Sequence, residues 1–164
     1  MPNMKRYYED GLAYFVTTVT HRRRPLFEDR RMCRLILITM AYYKMVFDYE
    51  VYGYCIMPDH LHAIIRPNSK YNLSFLMKMI KGSFARKINR LSDLEEPTSV
   101  WQAGFYEQGI RNNAQLLTQI NYIHDNPLKA NLASSGQDYE FSSFRQYHFP
   151  ESQGEPILQV DKPQ

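Results

Sequence analysis

The chain alternates between two hydrophobic rhythms, one of period two and one of three to four, and their order outlines a small mixed domain. Residues 12–20, LAYFVTTVT, are dense in aromatic and β-branched side chains, and the run is too short for a helix, so it reads as a first strand. The basic triplet of HRRRPLF at 21–27 is closed by Pro25, which makes a loop projecting positive charge. Asp29 can then cap a helix over residues 30–47, where Met32, Leu35, Ile36, Thr39, Met40 and Tyr43 recur at helical spacing. Residues 49–57 return to a strand pattern, Pro58 and Asp59 interrupt it as a turn or bulge, and residues 60–66 form the next strand.

After a turn at 67–72, Leu73, Leu76, Met77, Ile80, Phe84, Ile88 and Leu91 define one face of a second helix, with Lys78, Arg86 and Arg90 on the other. Residues 92–99 are acidic and polar and suit a mobile loop. Residues 100–111 read as a strand or extended hairpin. A third helix runs from residue 112 or 113 to Asn126, stopped by Pro127. Pro150, Gly154, Pro156 and Pro163 mark residues 150–164 as a loosely packed tail. This order describes one α+β domain over residues 1–149, a ferredoxin-like antiparallel sheet with helices mainly on one face.

Composition changes this picture little. At 164 residues and 44% apolar, the chain can bury a core, and no run of eighteen apolar residues or signal-like N-terminus occurs. A soluble, cytoplasmic protein is therefore expected. Cys33 and Cys55 each sit in an apolar stretch and read as buried free thiols. The net charge of +3 would not by itself point to nucleic acid, but the basic residues are unevenly placed.

Strand alternation within MPDHLHAIIRP puts His60, His62, Ile64 and Arg66 on one face and Asp59, Leu61, Ala63 and Ile65 on the other. Both imidazoles thus point the same way, about 6 to 7 Å apart at the backbone, near enough to share a divalent cation. Taken alone, an H-x-H pair on a half-buried strand fits polar surface better than a metal site, and a metal reading needs a third ligand and a reacting group elsewhere. On the third helix, Leu116, Leu117, Ile120 and Ile123 form the buried stripe, while Tyr122 and Asn126 share a polar edge with Gln115 and Gln119. A phenol and a potential metal ligand are presented together there. To attack a phosphodiester the phenol must approach phenolate, far below its ordinary pKa of about 10, and a nearby cation serves that end.

Several separated segments, YFVTTVTHRRRPLF, GYCIMPDHLHAII, WQAGFYEQGIR, YIHDNPLKANL and YEFSSFRQY, resemble the REP-associated tyrosine transposases of the HUH-type single-tyrosine family. The resemblance implies His60 and His62 as metal ligands, Asn126 as the third, and Tyr122 as the nucleophile. It implies Mg²⁺ or Mn²⁺ as cofactor, and cleavage and rejoining of single-stranded DNA at hairpin-containing sites through a 5′-phosphotyrosine, without a nucleotide cofactor. Insertion-sequence relatives often carry Gln at the position of Asn126. The longer C-terminal segment here favours a monomer over a homodimer.

For contact with single-stranded or hairpin DNA the candidates are Arg22, Arg23 and Arg24 in the loop, Arg111 before the third helix, and Lys78, Lys81, Arg86 and Arg90 on the second. Two other functions compete. One is a hairpin-binding module that no longer transposes; the other is a metal phosphodiesterase using water, with Tyr122 structural.

Overall fold

The computed structural model describes residues 8–92, 95–152 and 154–164. Four strands form one sheet in the order β2-β3-β1-β4, all antiparallel: β1 (Ala13–Val19), β2 (Glu50–Met57), β3 (His60–Arg66) and β4 (Tyr106–Ile110). With α1 (Arg30–Phe47) between β1 and β2, and α2 (Leu73–Leu91) between β3 and β4, this is the ferredoxin-like arrangement. The histidine strand β3 is central, flanked by β1 and β2.

The helices start where short polar side chains supply their first hydrogen bonds. Asp29 accepts from the Arg31 amide, Asn72 from Phe75, and Asn112 from Gln115 at the start of α3 (Asn113–Lys129). The alternating pleat then sorts the sheet's side chains into two cores. Tyr14, Val16, Leu61, Ala63 and Ile65 pack with Ile36, Met40, Leu76, Ile80 and Phe84 from α1 and α2. Ala13, Phe15, Cys55 and Ile64 pack on the other face with Leu116, Ile120 and Ile123 of α3. Two of the long helices thus share one face, and the tyrosine helix covers the other with Tyr139 and Tyr147 packed beside it.

Docking of α3 depends on a missing side chain. A Cβ at Gly53 would stand 3.0 Å from Ile123 Cδ1, so any other residue there would need the Ile123 side chain to give way by a few tenths of an ångström. The β2–β3 register shifts between Val51 and Gly53 at the same place.

Two expectations are corrected. Pro127 does not stop α3 but lies inside its last turn, and the helix ends at Lys129. Proline removes only its own N–H, and the Ala130 amide still bonds to Asn126 O while the Leu132 amide bonds to Pro127 O, so one more turn forms. The tail is also tied down rather than loose. Leu158 and Val160 are buried in the core with α1 and α2, the Asp161 amide bonds to Val51 O, and the Asp161 carboxylate accepts from Val51 N and pairs with Lys44. Its prolines and glycine break helix and strand without preventing burial of two apolar side chains spaced two apart.

Residues 93 and 94 of the expected loop at 92–99 lie outside the described residues. The extended stretch after it makes one bridge, Trp101 to Thr20, before β4 begins. Cys33 and Cys55 are free, buried thiols as expected. No helix among the described residues is long and apolar enough to cross a membrane.

Candidate active site

β3 presents His60 and His62 on the sheet face covered by α3, because Leu61 between them and Ala63 after them are drawn into the opposite core. Their rings meet edge to face with centroids 4.7 Å apart, and the two Nε2 atoms converge at 3.1 Å. Two nitrogens about 2.1 Å from a shared ion and 3.1 Å from each other subtend roughly 95°, near the right angle between neighbouring octahedral ligands. The separation also fits a hydrogen bond from one imidazole to the other, which the ring tautomers decide.

Both outer nitrogens are held. His60 Nδ1 lies 2.6 Å from Asp59 Oδ1, and His62 Nδ1 lies 2.8 Å from Thr17 Oγ1. The Asp59 carboxylate also receives Arg23 Nη1 at 3.0 Å. Burial alone would raise the Asp59 pKa, but the bonds from His60 and Arg23 outweigh it and hold the carboxyl below its usual range. His62 is pushed down to about 3, first by burial and then by His60, so it is a neutral imidazole near pH 7, the form that ligates metals.

Tyr122 faces this pair from α3. Its ring centroid is 6.1 Å from that of His62 and 5.8 Å from that of Phe15, which stacks on His62 at 5.3 Å. The phenol is 44% exposed, accessible to a polymer substrate. Lys129, in the added turn beyond Pro127, brings its ammonium to 5.1 Å from the Tyr122 ring. Asn126 is half-buried and donates from Nδ2 to the Tyr122 carbonyl at 2.9 Å, leaving Oδ1 as the atom with ligand capacity. Among the described residues no group of three or more His, Cys, Asp or Glu is placed to hold a metal, so a third ligand beside the histidines must be an amide, a phenol, water or a substrate phosphate.

The basic candidates separate in space. Arg22, Arg23 and Arg24 adjoin the histidines, since Thr20 bonds through both its amide and hydroxyl to the Asp59 carbonyl. Arg24 donates to Ser99 O, and Arg22 is exposed with no partner among the described residues. Lys78, Lys81, Arg86 and Arg90 lie on α2, across the sheet from His62, and Lys81 donates to Gln102 O and Gly104 O. Arg111 pairs with Glu9 at 3.2 Å and follows Ile110, opposite Ala13, whereas His60 lies opposite Val19 at the other end of β1. Arg111 and the α2 residues are thus not gathered with the histidine–tyrosine cluster.

Strand alternation places Asp59 on the face away from His60; this is corrected, since Asp59 lies in the turn before β3 and its carboxylate reaches His60 Nδ1. Sequence reasoning passed over Thr17, Phe15, Lys129 and the exposed Tyr106, whose ring is 6.3 Å from that of Phe15. Asp59 was visible as a carboxylate beside the first histidine, the usual partner of a ligating imidazole. The others become neighbours only through strand pairing and helix docking.

With this geometry in place, likeness to known proteins is informative. Residues 9–126 match the family model described as transposase IS200 like. The REP-associated tyrosine transposase of Escherichia coli K12 is 27% identical over 147 residues, covering 88% of this chain and 83% of that protein. The structure of a REP-associated tyrosine transposase bound to a REP hairpin superposes with a TM-score of 0.73 at 26% identity, covering 99% of this chain and 93% of that one. The chain belongs to the IS200-like transposases, and its likeness runs to the REP-associated tyrosine transposases among them.

Proposed function

We propose that this protein acts on hairpin-containing single-stranded DNA in the cytoplasm, cutting and rejoining it through a covalent bond between Tyr122 and a 5′ phosphate. The observation that carries the reading is the exposed Tyr122 phenol beside the convergent Nε2 atoms of His60 and His62 in one chain. The likeness to a hairpin-bound relative supports DNA hairpins as the partner.

In this reading Tyr122 Oη forms an ester bond to phosphorus while the bond from phosphorus to the 3′ oxygen breaks. The phenol gives up its proton, and the departing oxygen takes one up as a free 3′-hydroxyl. Attack by that or another 3′-hydroxyl reverses the step and restores the phenol, so the phosphodiester bond energy is kept in the protein-bound ester and no nucleotide cofactor is needed. His60 and His62, with Asn126 Oδ1, would hold Mg²⁺ or Mn²⁺; when bound, the ion neutralises charge on the phosphate and favours the phenolate. Lys129 holds its ammonium over the face of the Tyr122 ring, 5.1 Å from its centre, and so braces the ring's orientation. The presence of all these groups in one chain supports a monomer as the working unit.

The test is incubation with labelled single-stranded hairpin DNA and Mg²⁺ or Mn²⁺, followed by a denaturing gel. A protease-sensitive adduct is expected, absent in Tyr122→Phe and suppressed by EDTA. Cleavage that survives Tyr122→Phe would assign the chemistry to water, and tight binding without cleavage would make the protein a hairpin-binding module.

A further inference from the structure

We propose that Asp59 is a positioning residue that fixes the tautomer and ring orientation of His60, and that Arg23 serves Asp59 rather than a DNA phosphate. The inference rests on the reading of His60 and His62 as metal ligands. Its geometry is a chain of three groups, Arg23 Nη1 to Asp59 Oδ2 at 3.0 Å and Asp59 Oδ1 to His60 Nδ1 at 2.6 Å. A carboxylate beside Nδ1 keeps the proton on that nitrogen and leaves Nε2 with its lone pair turned toward His62. Thr17 stands in the matching place behind His62, 2.8 Å from its Nδ1. Each imidazole is thus backed by one oxygen group, and the two inner nitrogens are left to face the same point.

The backbone around Asp59 is built to hold this arrangement. Its carbonyl accepts both the amide and the hydroxyl of Thr20 at 2.9 Å, and the neighbouring Pro58 carbonyl accepts the Phe27 amide. The arginine loop is therefore tied to the turn that precedes His60 at two points. Within the loop, Arg22 and Arg23 have φ of 54° and 52°, a left-handed conformation that costs a non-glycine residue about 1 kcal/mol or more. That conformation accompanies the Arg23 contact with Asp59, while Arg22 beside it stays exposed. Arg23 remains 64% exposed itself, so its pair with Asp59 contributes modestly, and the Asp59 bond to His60 is the larger part.

Two measurements test this without cleavage. In the metal-free protein, nitrogen-15 NMR of the histidine rings should show His60 protonated at Nδ1, with that signal moved in Asp59→Asn. Mn²⁺ titration calorimetry should then show affinity falling about 10- to 100-fold in Asp59→Asn and at most about fivefold in Arg23→Gln. Binding of a hairpin oligonucleotide in EDTA should be unchanged in Arg23→Gln and weakened in Arg22→Gln. A His60 ring protonated at Nε2 in the parent, or an Asp59→Asn protein that binds Mn²⁺ as the parent does, would overturn the proposal. Loss of DNA affinity in Arg23→Gln with Mn²⁺ affinity intact would return Arg23 to the phosphates. If the parent binds no Mn²⁺ at all, the metal reading itself fails, and the NMR result still decides whether Asp59 orients His60.

Discussion

The ring of Tyr122 lies 6.1 Å from the ring of His62 in the same chain, although sixty residues separate them in sequence. β3 brings one of them and α3 the other to a single face of the sheet. A nucleophile supplied by its own chain predicts that mixing two defective proteins, Tyr122→Phe and His62→Ala, restores no adduct formation. Recovery of activity on mixing, read on the same denaturing gel, would mean that sites are shared between subunits.

Gly53 admits α3 to its seat, since a Cβ there would stand 3.0 Å from Ile123. Gly53→Ala should cost about 1–3 kcal/mol of stability in urea unfolding. Because Ile123 is next to Tyr122, adduct formation should fall further than hairpin binding. Equal loss of both would locate the effect in overall folding.

His124 is buried, bonds through Nε2 to Ser143 Oγ at 2.8 Å, and has no partner for Nδ1 among the described residues. Its pKa is pushed down to about 4, chiefly by burial and further by His148 and Lys162. Between that value and an unfolded pKa near 6.5, the unfolded chain binds the extra proton, so stability is full above about pH 6.5 and declines as pH falls toward 4. The loss should be on the order of 3 kcal/mol in urea midpoints compared between pH 7 and pH 4. His124→Gln should flatten that part of the profile; an unchanged slope would place the acid sensitivity elsewhere.

Leu158 is fully buried against the core shared by α1 and α2. Leu158→Ala should therefore cost about 2–4 kcal/mol in urea unfolding, as an interior leucine does. A loss under about 0.5 kcal/mol, the size expected of a surface position, would show the tail to be dispensable to the fold.

Element types and most boundaries were legible because local chemistry sets them. Asp29 and Asn72 cap their helices through their own side chains, and the alternation from His60 to Arg66 follows from the pleat. A helical stripe tells which side of α3 is buried but not what it is buried against, so its place across the sheet from α1 and α2 was not readable. Arg23 reads as a DNA contact in sequence because charge is local information, whereas its neighbour Asp59 is reached only when the loop folds back on the turn. Pro127 misled for a related reason: proline's effect on the turn before it is local, but here later amides close one more turn beyond it.

The two thiols offer a practical opening. Cys55 is wholly shielded in the core beneath α3, and Cys33, also shielded, has its pKa pushed up to about 12 by burial and donates to Phe27 O. Neither should react with maleimide dyes while the protein is folded, because the thiolate is the reacting form. A single cysteine introduced at exposed Asp125 would therefore take a fluorophore selectively without removing either native thiol. Motion of the tyrosine helix could then be followed in solution on the otherwise natural sequence.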